Sequence, residues 1–334
     1  MDIAHYRLLN QQVTHSAFSE PGELVAWMGC MQAEDYSSAK WAIGNRIPHI
    51  TDAAIEKAFN EGRFLRAQVL RPTWHFVAPA DIGWLLQLSG QRIRAGYKQL
   101  HSRLDISNSD LKRSKAIMTK ALAGNKRKTR AELLALCLKS NKHLDDIRMN
   151  FLILDAELDG LIVNGGRQGS EFVYVLLEEL VPSPLILEKE AAIAELARRY
   201  FSSRGPATLP DFVWWSGLTQ EEARVGFDMN KDALQHVVVN GQAYWFAETQ
   251  PVLPGPHTVS LLPSFDEYMA GYLDHSSFKP SIILNGKVAG TWKYREKKRT
   301  IQIEMQLYKP LEKEAAHAVL NAEKAYARFL GKAI

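Results

Sequence analysis

Residues Cys30–Arg46 read CMQAEDYSSAKWAIGNR, a short polar interruption between two helical patterns. Apolar residues recur at helical spacing before it, in PGELVAWM, and a second helix is expected to begin after it, with Asp35 or Ser37 as its N-cap. Gln32 and Glu34 therefore lie at a predicted helix-to-helix junction, where residues two positions apart can face the same opening. The positive end of the second helix would favour an ionised carboxylate at this junction.

A carboxamide beside a carboxylate has a plain chemical use. Glu34 could take a proton from water or stabilise a nearby cation, while Gln32 holds that water in place. The alternative is that Asp35 and Ser37 are helix caps and that Gln32 and Glu34 are solvated helix ends. The residues alone leave both interpretations open.

The same stretch resembles the signature of the winged-helix DNA glycosylases, a bacterial family whose members unhook interstrand crosslinks and remove alkylated purines. The family's active-site motif is Gln, any residue, then Gln or Asp, whereas this chain has Gln32-Ala33-Glu34. Other stretches that resemble the family follow in order: LRPTWHFVAPADIGWLL from Leu70, YFSSRGPATLPDFVWWSGLT from Tyr200, LLPSFDEYMAGYLDHS from Leu261 and NGKVAGTW from Asn285. The resemblance implies tandem winged helices, and it implies that Gln32 and Glu34 are the catalytic residues.

Composition narrows the possible classes of protein. The 334 residues carry a net charge of +4, which suits a polyanionic partner without requiring one. The two cysteines, Cys30 and Cys137, form neither a disulfide framework nor a metal-ligand spacing. The sequence has neither a signal-peptide pattern nor an apolar run of membrane-spanning length, so we expect a cytoplasmic protein that does not enter the membrane.

Positive charges cluster in two parts of the chain, and both clusters are candidates for phosphate contacts. The first lies between Arg92 and Arg130, and the second between Lys293 and Arg299. Together with the RPTWHF run, which matches the family, they supply the predicted DNA-binding residues: Arg71, His75, Arg127, Lys128, Arg130, Lys297, Lys298 and Arg299. Charge runs are usually solvated faces, and a histidine beside aromatic residues is commonly a packing residue. Those alternatives stay open.

The order of elements predicts a mainly α protein with β structure, of class α+β. Three helices followed by a β-hairpin recur three times, which is the pattern of the winged helix, a helix-turn-helix variant. NGGRQG, from Asn164, is expected to be a hairpin turn at a wing tip and not a phosphate loop. The predicted units are residues 1–100 (first winged helix with a connector helix), 101–182 (second), 183–250 (third) and 251–334 (a β-rich C-terminal domain with a final helix).

Two further groups of residues are ambiguous. The acids Asp266, Glu267 and Asp274 could act in acid-base chemistry, but a structural hydrogen-bond network is favoured. No familiar metal-ligand spacing accompanies them. Trp214 and Trp215 lie on a helical stretch and are expected in the core, not on a base-stacking platform.

The interpretation that these features favour is a monofunctional DNA glycosylase that hydrolyses the N-glycosidic bond of alkylated or crosslinked purines in double-stranded DNA. An alkylated purine already carries positive charge, so it can leave without a strong general acid, and no metal or organic cofactor is expected. One alternative is a winged-helix DNA-binding protein without catalysis, such as a regulator or a lesion sensor. Another is a protein-interaction scaffold.

Overall fold

The computed structural model describes residues 1–248, 258–274 and 278–334. It has the predicted α+β class, with helices and antiparallel strands. The chain divides into two compact units: residues 1–57 together with 193–334, and residues 58–192. The predicted boundary at residues 250–251 lies outside the described residues, and the division into four segments stays a prediction.

The N-terminal part of the first unit is mostly helical. Its elements are α1 (Ile3–Asn10), α2 (Pro21–Met28), β1 (Cys30–Gln32), α3 (Tyr36–Gly44) and α4 (Asp52–Asn60). Strand β1 corrects the prediction that α2 and α3 meet at a simple polar junction. Helix α2 ends at Gly29, which has a φ of +72°, and the buried residues that follow it are extended. Glycine reaches this conformation without the steric penalty that other residues pay.

The second unit packs helices against an antiparallel sheet. Its elements are β2 (Leu65–Gln68), β3 (Trp74–Val77), α5 (Ile82–Gly96), α6 (Lys98–Arg103), α7 (Asn108–Leu122), β4 (Lys128–Thr129), α8 (Arg130–Leu138), α9 (Asp146–Leu158), β5 (Ile162–Gln168), β6 (Glu171–Leu176) and α10 (Leu177–Leu180). Its strands lie in the order β3-β2-β5-β6-β4. Met118, Leu133 and Met149, one from each of α7, α8 and α9, are fully buried in its core. The predicted hairpin is present, but its turn lies at Gly169 and Ser170: residues Asn164–Gln168 of NGGRQG belong to β5, with an irregular register between Asn164 and Arg167.

The remainder of the first unit begins with three helices and a hairpin. The elements are α11 (Lys189–Arg204), α12 (Leu209–Ser216), α13 (Gln220–Asn230), β7 (Leu234–Val239), β8 (Gln242–Ala247), β9 (Val259–Leu262), α14 (Glu267–Ala270), β10 (Ser281–Leu284), β11 (Lys287–Glu296), β12 (Ile301–Leu307) and α15 (Lys313–Phe329). Strands β12-β11-β10-β9 form an antiparallel sheet. Trp41 of α3 packs on Tyr326 and Phe329 of α15, with ring centroids 4.8 and 5.0 Å apart.

The predicted order of helix, helix, helix and hairpin is therefore present in the described chain. It occurs as α2–α4 before β2–β3, as α7–α9 before β5–β6, and as α11–α13 before β7–β8. Capping boxes begin several of these helices, with Thr129 before α8, Thr208 before α12 and Thr219 before α13. Within the described residues, no helix has the length and hydropathy needed to cross a membrane.

Candidate active site

Gln32 and Glu34 lie on either side of the point where β1 ends and the chain turns into α3. Gln32 is the last residue of β1 and is partly buried, whereas Glu34 is exposed. Asp35, not Ser37, caps α3, because its Oδ1 accepts a hydrogen bond from the Ser38 amide at 3.1 Å. Glu34 therefore directly precedes the positive end of a helix, as the sequence predicted.

A buried carboxylate fixes the backbone of β1. The Gln32 amide donates a hydrogen bond of 2.7 Å to Oε1 of Glu267, the first residue of α14. Glu267 is only 1% exposed. A buried carboxylate is tolerated when a cation and further donors satisfy its oxygens, and Glu267 has both.

Arg204, the last residue of α11, is the cation that pairs with Glu267. Its Nε and Nη2 lie 3.0 and 2.5 Å from Glu267 Oε2, which also accepts from Trp215 Nε1 at 3.0 Å. The same guanidinium donates to the carbonyls of Met28 and Cys30 at 2.7 and 2.8 Å. Arg204 and Glu267 together thus hold the end of α2 and both ends of β1, and so they fix the position from which Gln32 and Glu34 project.

A second buried ion pair lies beside the first. The two terminal nitrogens of Arg46, Nη1 and Nη2, each donate to the Asp266 carboxylate at 2.8 Å, and both side chains are completely buried. Burial alone would lower the pKa of Arg46, but the charge and hydrogen bonds of Asp266, together with the nearby Glu267 and Tyr272, offset this and the pKa is raised. Arg46 also donates to Gln11 and to the carbonyl of Ala42, so this pair secures α1 and α3.

These contacts confirm the predicted structural network at Asp266 and Glu267. Tyr272 extends it, because its hydroxyl donates to the Arg204 carbonyl at 2.7 Å and accepts from Gln11. Burial raises the pKa of Tyr272 to about 12, which keeps the hydroxyl protonated. Asp274, the third acid of the predicted patch, is exposed.

The Gln32 side chain has an acceptor that no described residue uses. Its Oε1 is buried and accepts no hydrogen bond from any residue that the structure describes. Leaving a buried acceptor unsatisfied costs about 1–3 kcal/mol, so such an atom in a folded protein calls for an explanation such as a bound water. Glu34, two residues further along the chain, is exposed, so a carboxamide and a carboxylate, groups that can position and deprotonate a water, flank Ala33.

The tip of the β11–β12 hairpin carries the most accessible of the predicted DNA contacts. Lys297, Lys298 and Arg299 are all exposed and make no ion pair with any described residue. The turn is ordered by a hydrogen bond of 2.9 Å from the Lys297 amide to the Thr300 carbonyl. The three charges are therefore displayed on a defined turn.

In the first basic cluster, the side chains predicted to contact DNA have partners within the protein. Arg130 pairs with Asp146 at 2.6 Å, and Lys128 lies 3.4 Å from Glu132. The exposed Arg127 donates to the Asn60 and Gly165 carbonyls at 3.1 and 3.5 Å, which ties it to the β5–β6 wing. These side chains have structural partners that phosphates would have to share or displace.

Arg71 and His75 occupy different environments. Arg71 is half-buried in the turn between β2 and β3, where its amide donates to the Val69 carbonyl. His75 is completely buried in β3, with Nδ1 3.1 Å from the Thr73 carbonyl oxygen. The prediction that His75 binds DNA is therefore not supported, because the strand places its ring in the interior. His75 is a packing residue, the alternative that the sequence had left open.

Comparison with known proteins identifies the family. The family model for DNA glycosylase AlkZ-like proteins matches residues 25–278. The chain belongs to this family. Among solved structures, the DNA glycosylase AlkZ of Streptomyces sahachiroi has a TM-score of 0.79 and 16% sequence identity to this chain, and the match covers 99% of this chain and 96% of AlkZ. No curated protein sequence matches the chain.

Membership in the AlkZ-like family confirms the resemblance seen in the sequence and assigns the chain to the DNA glycosylases, hydrolases that act on N-glycosyl bonds. The similarity to the Streptomyces structure shows that the two chains share a fold. The matched range includes Gln32 and Glu34 but not Lys297–Arg299. The prediction that the hairpin tip contacts DNA therefore rests on its exposure and charge alone.

The sequence did not reveal the residues that position the site. Arg204 is 63 residues from Glu267, and Arg46 is 220 residues from Asp266. Nothing local in the sequence indicates these pairs. The sequence contained one indication: Arg204, Asp266 and Glu267 all occur in stretches that resemble the family. That resemblance points to these residues but does not show which of them pair.

Proposed function

We propose that the protein is a monofunctional DNA glycosylase that removes alkylated or crosslinked purines from double-stranded DNA, with Gln32 and Glu34 as its catalytic residues. The observation that carries this proposal is the buried Oε1 of Gln32, which has no hydrogen-bond partner among the described residues, two positions along the chain from the exposed Glu34. Membership in the AlkZ-like family supplies the reaction class, and this pair supplies groups that suit it.

The chemistry follows from the charge of the substrate. A purine alkylated at N7 or N3 is cationic, so it departs with the electrons of the glycosidic bond and needs no strong general acid. The sugar develops oxocarbenium character, which the Glu34 carboxylate stabilises. Gln32 Oε1 accepts a hydrogen bond from the attacking water. The water oxygen bonds to the anomeric carbon, and its proton passes to Glu34. These steps require no metal or organic cofactor.

The last position of the motif departs from the family pattern. The resembling proteins carry Gln or Asp there, whereas this chain carries Glu34, which is one methylene longer than Asp. Glutamate retains the charge that stabilises a sugar cation. In the chain Glu34 directly precedes Asp35, the N-cap of α3. The longer side chain is therefore compatible with the proposed role.

Duplex binding is assigned to the hairpin tip, with smaller contributions from Arg71, Arg127, Lys128 and Arg130. The triad Lys297, Lys298 and Arg299 is exposed and not neutralised by described acids, which suits contacts to phosphates that position the duplex without reading its sequence. We further propose a cytoplasmic location. Both cysteines are buried and neither forms a disulfide with a described residue, which suits a reducing compartment where DNA is also found.

Release of free base tests this function. Duplex DNA carrying N7-methylguanine is incubated with wild-type protein or with Gln32→Ala, and free purine is measured by mass spectrometry beside DNA binding. We expect wild type to release the base, and Gln32→Ala to bind as tightly but release it at least tenfold more slowly. Binding without release from either methylated or crosslinked DNA would contradict the proposal and indicate a non-catalytic lesion sensor.

A further inference from the structure

A groove of about 680 Å³ lies on the α11–α13 and β7–β8 group of the first unit, and none of the catalytic residues lines it. Its walls come from α12, α13, the β7–β8 hairpin and Leu273, which follows α14. The volume is within the range of about 300–1,000 Å³ that is typical of small-ligand sites. The groove is large enough for a ligand of the size of a nucleotide.

Aromatic rings form the apolar part of this groove, and neighbouring residues hold them in place. Trp214 is 38% exposed, so the prediction that it lies in the core is wrong, whereas its neighbour Trp215 is fully buried. The Trp214 indole donates to the Ala270 carbonyl at 3.2 Å, which orients the ring. Trp245 is packed edge-on against Phe227, with centroids 4.9 Å apart. A planar ligand would meet rings that are already oriented.

Positive charge is placed beside these rings. Arg224 and Lys231 line the groove, are exposed and make no ion pair within the described parts of the chain. Lys231 Nζ lies 5.9 Å from the centroid of the Trp245 ring. No carboxylate of a described residue lines the groove. A ligand with an aromatic ring and a negative charge a few ångströms from it would complement both features.

We propose that this groove binds a single unstacked nucleotide, with its base against Trp214 and its phosphate near Arg224 and Lys231. Every nucleobase has a π-face, so stacking on a tryptophan tolerates any sequence, and the two cations would hold the backbone. An apolar peptide would leave both cations without partners, which is why a nucleotide is favoured. The source is either an unpaired nucleotide of a DNA strand or a free nucleotide.

This inference uses the proposed function only for the presence of DNA as a source of the nucleotide. The groove is formed by residues other than Gln32 and Glu34, so binding there needs no base excision. An unmodified oligonucleotide has no alkylated base to release. Its binding therefore tests the groove separately from the chemistry.

The test measures the affinity of fluorescein-labelled (dT)8 by anisotropy, with thymidine 5′-monophosphate as a competitor. The variants are Trp214→Ala, Trp214→Phe and the pair Arg224→Ala with Lys231→Ala. The matched control removes two positive charges from exposed positions of α15 in the same unit, by Lys313→Ala with Lys324→Ala. Circular dichroism and light scattering check the fold and the oligomeric state of every variant.

We expect Trp214→Ala to weaken (dT)8 binding about tenfold or more, and Trp214→Phe to restore most of it, because phenylalanine retains a stacking surface. The Arg224/Lys231 pair should lose more affinity than the Lys313/Lys324 control.

The competitor distinguishes the two sources of the nucleotide. Competition by thymidine monophosphate at these residues would support a free nucleotide as the source, and its failure to compete would support a nucleotide within a strand. Unchanged (dT)8 affinity in the groove variants would overturn the inference. A change in oligomeric state without a change in affinity would also overturn it and assign the groove to protein contacts.

Discussion

Replacing Arg204 by lysine tests whether the buried ion pair behind β1 positions the candidate catalytic residues. Lysine keeps a positive charge beside Glu267, but it lacks the rigid five-donor fork of arginine. It cannot reproduce the contacts to Glu267 and at the same time the bonds of 2.7 and 2.8 Å to the carbonyls of Met28 and Cys30. The substitution therefore releases β1 while keeping the core charge balanced.

The expected magnitude follows from the bonds that are lost. Two charge-assisted hydrogen bonds are lost. At about 1.5 kcal/mol each, the lower end of the usual range for such bonds, their loss lowers the unfolding free energy by about 3 kcal/mol. Domains commonly have about 5–15 kcal/mol in total, so Arg204→Lys is expected to remain folded. A displacement of the catalytic groups by about 1 Å can lower a rate on the order of 100-fold. We therefore expect a loss of that order in base release.

The assay pairs urea denaturation with single-turnover release of N7-methylguanine under conditions in which every variant is folded. Arg46→Lys is the matched control, because Arg46 forms an equally buried pair with the adjacent acid, Asp266, and bonds to Gln11 and Ala42 instead of β1. Both variants should lose similar stability. Only Arg204→Lys should lose most of its activity, with DNA affinity nearly unchanged.

Two results would refute this reasoning. If the folded Arg204→Lys protein released base at the wild-type rate, the ion pair would have no positioning role. If Arg46→Lys lost as much activity as Arg204→Lys, the effect would reflect general loosening of the core and not the connection to β1.

Two other predictions concern binding and pH. Replacing Lys297, Lys298 and Arg299 by alanine should reduce the slope of log affinity against log salt for duplex DNA by up to about 2.7, since about 0.9 counterions are released per phosphate contact. The control is the same change at the exposed Lys309, Lys313 and Lys324. An equal reduction in the control would argue that the hairpin tip does not contact phosphates. Burial raises the pKa of Glu157 well above its usual value of 4.5, and Arg66 offsets this only in part, so the folded state retains a proton that the unfolded state loses. The unfolding free energy should fall by about 1.4 kcal/mol per pH unit between 4.5 and the raised pKa, and Glu157→Gln should abolish that slope in urea titrations; an unchanged slope would assign it to another group.

The sequence predicted features that depend on local pattern. The order of helices and hairpins, a cap at Asp35 or Ser37, and a hairpin near NGGRQG all follow from periodicity, capping chemistry and turn residues. The sequence also indicated that Asp266 and Glu267 form a structural network. In each case the deciding interactions are close in sequence, or the residue types alone restrict the choice.

Features that depend on distant contacts could not be predicted. Strand β1 replaced the expected polar junction because Gly29 ends α2 and because Arg204 and Glu267 hold the extended backbone. His75 was a candidate DNA contact, but it lies in the buried run of three residues in β3. Trp214 and Trp215 are neighbours on one helix, and only packing decides which of them is buried. Spacing along the chain does not contain that information.

The most direct test of the central claim is the single-turnover rate at which Glu34→Ala releases N7-methylguanine from duplex DNA. The substitution removes both the charge and the hydrogen-bonding group proposed to act on the sugar cation and the water, and removing one such group typically costs about 100- to 1,000-fold. We expect a decrease of that order with unchanged DNA affinity, smaller decreases for Glu34→Asp and Glu34→Gln, which install residues that the resembling proteins carry, and none for Glu23→Ala at an exposed position of α2. Release by Glu34→Ala at the wild-type rate would show that Glu34 is not a catalytic residue.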